Sequence, residues 1–370
     1  MRRLATIVMT LILSAAVAVP AVPVGAGGDG NALDQARHHG NGVYRLRGHS
    51  YEPALRAILG QGAVRKVSFD RFMSSKPGVM ERCGRACRRW PKALMNSSTW
   101  YPQGLAGSKE SRWKYLSGRP EIVVSSWYQR RSASDSTSVG SSLKFISTRN
   151  WRYRNIPLRV PVQTGSGWTT ERLQTHAGGV AWAGRYLYVA GTDRLYRFDL
   201  TQIFRSGSGP FLLPDRRYLT VDKEPYGEPR LSSVSTDWSG TPSLVTARYE
   251  VDDVTAEVVR WPIDSSGALR VNGGVVGSDY NFWIDKDSAI DNVQGVESHN
   301  GTYLFSNSGG DGDLDRARVE TQYLRETFGW RGDDTPQDLY AAAGHRLYGQ
   351  TESRYERRVF WRSFRSAFYG

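Results

Sequence analysis

The chain has 370 residues, and its 49 Lys and Arg against 36 Asp and Glu give a formal net charge of +13. Its 12 Trp, 19 Tyr, 12 Phe and 39 Gly accompany a mean hydropathy of −0.50. Many aromatic and glycine residues favour short strands joined by tight turns and argue against a helix bundle.

The first 26 residues are predicted to be a secretory signal peptide. Arg2 and Arg3 precede an apolar run that ends near Val22, and a small residue, Ala26, offers a cleavage site. An uncleaved membrane anchor is the alternative, and the Sec and twin-arginine routes both remain open. Because no other apolar stretch approaches the roughly 20 residues of a spanning helix, we expect no transmembrane segment after cleavage. The mature chain is therefore expected to be secreted, either extracellular or associated with the cell wall.

Two segments precede the main body of the chain. Residues 27–40 are rich in Gly, Asp and Asn and are predicted to be a linker. Residues 41–98 form an N-terminal extension of mixed character. Within it, Pro53–Leu59 has helical spacing, and Glu81–Arg89 is predicted to form a short helix.

The chain has two cysteines, Cys83 and Cys87. In an oxidising compartment an isolated pair favours a disulfide. A metal site would need two more ligands, and no other Cys or His lies nearby in the sequence.

Residues 99–370 contain five units, each with a polar step, a hydrophobic strand, a turn and, in most units, a second strand. The units start at Gln103, His176, Ser233, Gln294 and Gln337. Such units cannot bury both faces alone, so they predict an all-β fold, a β-propeller of five blades. A six-bladed ring is the alternative, because residues 201–230 or 262–290 could hold a further strand group. Residues 42–47 are expected to add a strand to the last blade.

Two stretches carry a resemblance to a known group of proteins. They are His176–Leu200, with its His-Ala-Gly-Gly start and two aromatic strands, and Val293–Ser308. Both resemble uncharacterised secreted proteins of actinomycetes. The resemblance implies a propeller-like fold and export, and it implies no activity.

The polar residues that open the units are the candidate ligand-binding residues. In a propeller the first strand of each blade lines the central channel, and ligands bind at its mouth. We therefore expect the side chains of these five residues to converge: Gln103, His176, Ser233, Gln294 and Gln337. Such a surface suits a glycan or another wall polymer, and the positive charge favours an anionic one. The alternative is that these groups only bond neighbouring blades to one another.

Three other functions remain open. A glycoside hydrolase would need two facing carboxylates, for which Asp291 and Asp338 are the candidates, with Asp237, Glu297 and Asp334 also near strand starts. A polysaccharide lyase could use His176 as its base. Because no unit opens with a carboxylate, the sequence favours a binding protein over an enzyme. A protein-interaction scaffold is the remaining alternative, and the oligomeric state is not predicted.

The sequence predicts no cofactor, with calcium as the alternative. Asp311, Asp313 and Asp315 have the spacing of a calcium loop, but Arg316 and Gln322 depart from the EF-hand pattern. The histidines are dispersed and form no zinc motif. Because Walker, dinucleotide and GxSxG motifs are absent from the sequence, we expect no nucleotide partner.

Overall fold

The computed structural model describes residues 44–221, 230–249, 256–284, 292–307, 314–318, 323–328, 336–342 and 345–369. The predicted signal peptide and linker, Asp291, Asp311, Asp313 and Asp334 lie outside these residues. All of the elements below belong to the unit formed by residues 31–370.

The described residues are mostly strands. In chain order they are β1 Arg45–Ser50, β2 Arg65–Val67, β3 Gly78–Val79, β4 Glu81–Gly84, β5 Cys87–Arg89, β6 Trp100–Gly107, β7 Ile122–Arg130, β8 Ser138–Ser147, β9 Arg152–Thr164, β10 Gly167–Arg172, β11 Val180–Ala183, β12 Tyr186–Gly191, β13 Arg194–Asp199, β14 Ile203–Ser206, β15 Gly209–Leu212, β16 Arg216–Thr220, β17 Ser233–Asp237, β18 Ser243–Ala247, β19 Ala256–Pro262, β20 Val275–Gly277, β21 Tyr280–Ile284, β22 Val293–His299, β23 Thr302–Asn307, β24 Leu314–Arg318, β25 Tyr323–Phe328, β26 Pro336–Ala342, β27 Arg346–Thr351 and β28 Arg358–Ser363. The helices are α1 Glu52–Gly60, α2 Phe69–Met73, α3 Lys92–Met95 and α4 Phe364–Tyr369, with a 3₁₀ turn at Lys114–Leu116.

The strands form five sheets, which we number by chain order. Sheet 1 runs β6-β7-β8-β9-β15-β14-β2, with β10 and β3 also on β9; sheet 2 runs β11-β12-β13-β16-β1-β20; sheet 3 runs β17-β18-β19-β21; sheet 4 runs β22-β23-β24-β25; and sheet 5 runs β26-β27-β28-β5-β4. We call β6, β11, β17, β22 and β26 the inner strands. Each inner strand contacts the next, and β26 contacts β6, so their contacts close a cycle.

Hairpins in sheet 2 show why these sequences form strands. In β12 and β13 apolar residues are paired directly across the ladder, as in Leu187 with Phe198 and Val189 with Tyr196. Gly184 makes the turn before β12 with φ of 58°. A Cβ there would lie 1.7 Å from the carbonyl oxygen of Ser266, so only glycine allows this close approach.

The hydrophobic core lies between neighbouring sheets. Phe145 of sheet 1 meets Trp182 of sheet 2 edge-on, with ring centroids 6.0 Å apart. Trp90, next to β5 of sheet 5, meets Trp127 of sheet 1 at 5.0 Å. Each such buried ring contributes roughly 1.5–3 kcal/mol relative to exposure, so these contacts hold adjacent sheets together.

The structure confirms an all-β chain, the helix at Pro53–Leu59 and the disulfide between Cys83 and Cys87. It corrects the short helix predicted over Glu81–Arg89, which is instead the hairpin of β4 and β5. The reason is tertiary, because β5 pairs with β28 at the edge of sheet 5. Pairing with a distant strand supplies hydrogen bonds that override a weak local preference.

The expectation that residues 42–47 would add a strand to the last sheet is wrong. β1 pairs with β16 and β20 in sheet 2, where Leu46 is fully buried beside Tyr218 and Val276. The strands within residues 201–230 and 262–290 join sheets 1, 2 and 3 and form no separate sheet in the described residues.

Candidate functional site

One cavity of about 330 Å³ lies at the starting ends of the inner strands. This is within the usual size range of small-molecule sites. Its walls are mainly polar and aromatic, and they consist of Gln103, Tyr128, Arg130, His176, Gly178, Ala190, Thr192, Arg230, Leu231, Ser232, Tyr249, Gln294, Gln337 and Glu352.

The inner strands bring together four of the five predicted ligand-binding residues. Gln103, Gln294 and Gln337 lie near the starts of β6, β22 and β26, and His176 lies in the segment that leads into β11. Ser233 is not among the lining residues. It is fully buried in β17, and its neighbour Ser232 lines the cavity instead, because successive side chains of extended chain point to opposite sides.

Two glycines allow the segment after His176 to approach β17 closely. A Cβ at Gly178 would lie 2.2 Å from the carbonyl oxygen of Ser232, and one at Gly179 would lie 2.3 Å from the amide nitrogen of Val234. The Gly-Gly pair of the sequence is therefore a packing requirement of this end of the ring.

Aromatic rings form one wall of the cavity. The His176 ring lies over Tyr128 with centroids 4.2 Å apart and planes inclined by 31°, and Tyr128 in turn lies 5.6 Å from Tyr101. Arg130 donates from Nε to the Tyr128 hydroxyl at 2.7 Å, and its guanidinium sits 4.0 Å from the Tyr101 ring centroid. These contacts fix Arg130 at the cavity wall.

The His176 imidazole is neutral at neutral pH. Desolvation by the cavity walls and the positive charge of Arg130 lower the pKa of His176 below its usual 6.5. The ring remains open to the cavity. It can therefore offer both a donor and an acceptor nitrogen to a bound molecule.

Glu352 is the only carboxylate among the lining residues. Burial raises the pKa of Glu352, against the opposing effects of Arg130 and Arg357 and of a hydrogen bond from Gln103. Arg130 is 3.9 Å from this carboxylate, a loose ion pair. Gln350 donates to the Gln103 carbonyl oxygen at 2.6 Å and so fixes the backbone at this residue.

Asp338, one of the two predicted catalytic carboxylates, does not line the cavity. It is fully buried and accepts hydrogen bonds from the amides of Leu105 at 2.8 Å and of Leu339 at 2.9 Å. The absence of a Cβ at Gly295 leaves room for it. Asp338 thus ties β26 to β6, and desolvation raises its pKa.

A second polar group, which we call the acidic cluster, lies toward the finishing ends of the inner strands: Glu110, Asp237 and Glu297. Asp237 and Glu297 are each 1% exposed. Burial and mutual repulsion raise the pKa values of Glu110 and Glu297 well above normal. One carboxylate oxygen of Glu297, Oε2, has no hydrogen-bond partner.

Sequence reasoning missed Tyr128, Arg130, Arg230, Tyr249 and Glu352. They lie at the end of β7, in the segments around β17 and β18, and in the loop after β27. Nothing local in the sequence marks them, because only the packing of sheets 1, 3 and 5 brings them to one place.

Of the three candidate calcium residues, Asp315 lies in β24, where its backbone is described. No three His, Cys, Asp or Glu side chains among the described residues are grouped to hold a metal ion. Across the same residues, none of the helices is long and apolar enough to cross a membrane.

Comparison with known proteins gives no family. No family model and no curated protein matches the chain. Among solved structures, Hsv2 of Kluyvelomyces marxianus has 10% identity over 65% of this chain and 54% of that chain, with a TM-score of 0.26. The β-propeller domain of Cps50 (Swd1) of Myceliophteria thermophila has 8% identity over 77% and 99%, with a TM-score of 0.35. A protein of unknown function from Bacteroides thetaiotaomicron has 13% identity over 80% and 75%, with a TM-score of 0.33. At TM-scores below 0.5 these likenesses carry no argument about function.

Proposed function

We propose that the chain is an exported five-bladed β-propeller whose cavity binds an acidic sugar residue of a glycan or wall polymer. The observation that carries the proposal is the convergence of polar side chains from five different sheets or their leading segments on one cavity. The closed cycle of inner-strand contacts supports five blades.

The chemistry of the cavity walls suits a sugar. The amides of Gln103, Gln294 and Gln337 can donate to and accept from hydroxyl groups, and the Tyr128–His176 pair adds an aromatic wall against which the apolar face of a sugar ring can pack. Arg130 and Arg230 outnumber the one carboxylate, Glu352, so the cavity favours a ligand with a negative charge.

The proposal is tested by calorimetric titration with an oligogalacturonate and with a neutral oligosaccharide of the same length. We expect tighter binding of the oligogalacturonate. His176→Ala and Gln294→Ala should each weaken it about tenfold, since each removes one or two hydrogen bonds of roughly 1 kcal/mol.

His49→Ala is the matched control, because His49 is an exposed histidine of β1 that does not line the cavity. This variant should bind as the unaltered chain does. Equal affinity of all variants, or no binding of either sugar, would refute the proposed site.

A lyase is the second candidate function, and the position of Arg130 beside neutral His176 favours it. Arg130 could neutralise a uronate carboxylate while His176 removes the proton from the adjacent carbon. The glycosidic C–O bond then breaks, a C=C bond forms in the uronate, and the leaving oxygen takes up a proton.

A hydrolase is less well supported, because it needs two carboxylates and the lining residues include only Glu352.

The two candidates differ in what incubation with polygalacturonate produces. A lyase releases unsaturated uronates, which absorb in the ultraviolet, and His176→Ala should abolish their release. Tight binding without any such product would leave the chain as a binding protein and exclude this elimination.

A further inference from the structure

Three arginines and two tryptophans form a cluster on the outer part of sheets 1 and 5, which we call the Arg–Trp cluster. It consists of Arg82 on β4, Arg88 on β5, Arg346 on β27, Trp361 on β28 and Trp151 at the start of the β9 segment. None of these residues lines the cavity.

The tryptophans contact two of the three arginines. The rings of Trp151 and Trp361 are stacked with centroids 4.8 Å apart and planes inclined by 11°. The Arg88 guanidinium lies 4.9 Å from the Trp151 centroid and 5.6 Å from that of Trp361, and the Arg346 guanidinium lies 5.3 Å from Trp361. Cation–π contacts of this kind restrict the guanidinium groups before any ligand binds.

Two of the three arginines repel each other. Arg82 and Arg88 are directly opposite in the β4–β5 ladder, where like charges are unfavourable. In line with this, burial and the charge of Arg82 lower the pKa of Arg88. Among the described residues, Arg82, Arg88 and Arg346 form no ion pair with a carboxylate. The carboxylate of Glu121 instead accepts from the hydroxyls of Tyr340 and Tyr348, next to Arg346.

The disulfide maintains this crowded arrangement. Cys83 and Cys87 close the turn between β4 and β5. Arg88 donates from one terminal nitrogen, Nη1, to the carbonyl oxygen of Cys87 at 2.7 Å, which anchors its side chain on the turn. The bridge therefore holds two like charges side by side at a sheet edge.

From these contacts we infer that the Arg–Trp cluster binds the carboxylates of an anionic polysaccharide. An anionic chain would relieve the repulsion between the arginines, and guanidinium groups pair with carboxylates in a bidentate manner. Single-stranded nucleic acid fits less well, because its bases stack on open ring faces, and one face of each ring here is occupied by the other ring. The choice of a polyuronate over other polyanions rests on the proposed function.

The test is retention of the full chain in affinity electrophoresis through gels that contain polygalacturonate, with dextran as the neutral polymer and single-stranded DNA as the phosphate polymer. Polygalacturonate should retain the chain most strongly, and added salt should weaken retention. Arg82→Gln with Arg346→Gln should weaken retention about fivefold to tenfold, as expected for two exposed ionic contacts.

The charge-matched control is Arg56→Gln with Arg205→Gln, two exposed arginines outside both sites. It should have little effect, and a loss equal to that of the cluster variant would overturn the inference in favour of bulk charge. Stronger retention by DNA would overturn the polysaccharide assignment. Arg88→Lys keeps the charge but removes the planar guanidinium group that can donate two parallel hydrogen bonds. Full retention of this variant would argue against bidentate recognition.

Variants at the two sites distinguish binding in the cavity from binding at the Arg–Trp cluster. His176→Ala should weaken binding of short oligogalacturonates and leave polymer retention nearly intact, whereas the cluster variant should do the reverse. If only the cluster variant has an effect, the proposed cavity function fails while this inference stands.

Discussion

The two ends of the inner strands carry opposite kinds of polar residue. At the starting ends, neutral groups such as the Gln103 amide and the His176 ring face an open cavity. Toward the finishing ends lie the carboxylates of Glu110, Asp237 and Glu297, of which the last two are almost completely buried.

This difference separates polar residues that stabilise the fold from polar residues that face the cavity. Toward the finishing ends Asp237 accepts from Arg260 and from Ser298, both at 2.6 Å, and so joins sheets 3 and 4. The starting ends instead keep polar groups exposed to the cavity. The net charge of +13 favours the attraction of anionic polymers.

Asp338 is an exception to this pattern, and its removal should cause the largest loss of stability. It lies near the starting ends beside Gln337, yet it is fully buried and accepts the Leu105 and Leu339 amides. Asp338→Ala would leave these donors unpaired in the interior, so we expect a loss of about 3–5 kcal/mol in the free energy of unfolding. Denaturant titration measures it. Asp70→Ala, in an exposed ion pair, should cost about 1 kcal/mol or less.

Two arginine–carboxylate pairs, one at each end of the inner strands, test the difference between the ends. Arg260→Met would leave Asp237 buried without its cation, and we expect it to cost about 3 kcal/mol. Arg130→Met removes the loose 3.9 Å pair with Glu352 and the hydrogen bond to the Tyr128 hydroxyl, and it should cost about 1–2 kcal/mol. Denaturation of both variants under one set of conditions gives the difference, and equal losses would contradict the stronger stabilising role that we assign to the Arg260–Asp237 pair.

Glu297 should make stability depend on pH. Because burial raises its pKa, the folded state holds the proton more tightly than the unfolded state. Stability is therefore full below the unfolded pKa near 4.5 and falls as pH rises toward the folded pKa. Glu297→Gln removes this loss, so the variant should be more stable than the unaltered chain at pH 8 by about 1 kcal/mol, with no gain at pH 4. A gain at both pH values would point to packing instead of titration.

The strands and the polar residues that open them could be predicted because both are local signals. Short apolar runs and turn glycines identify β12 and β13, and a polar residue near the start of such a strand identifies Gln103 and Gln294. For Ser233 the prediction is displaced by one residue, because its neighbour Ser232 lines the cavity. In extended chain, that shift turns the side chain away from the cavity.

The rest depends on contacts between distant parts of the chain. The β4–β5 hairpin has no clear alternation, and its strand character comes from pairing with β28, more than two hundred residues later. In the same way Arg130 and Glu352 meet only because sheets 1 and 5 are neighbours. No pattern within either segment indicates the other, so the charges of the cavity could not be predicted.

The smallest expected effect on stability is that of replacing His176, which faces the cavity. His176→Phe keeps a ring over Tyr128, so we expect the free energy of unfolding to change by less than about 0.5 kcal/mol at pH 7. A lowered pKa destabilises the folded state only as pH falls below 6.5, and the open ring limits even that loss.

NMR titration of His176 should find a pKa below 6.5 that rises in Arg130→Gln, because one positive charge is removed. An unchanged pKa in that variant would show that Arg130 does not act on the ring, and the lyase arrangement would lose its support.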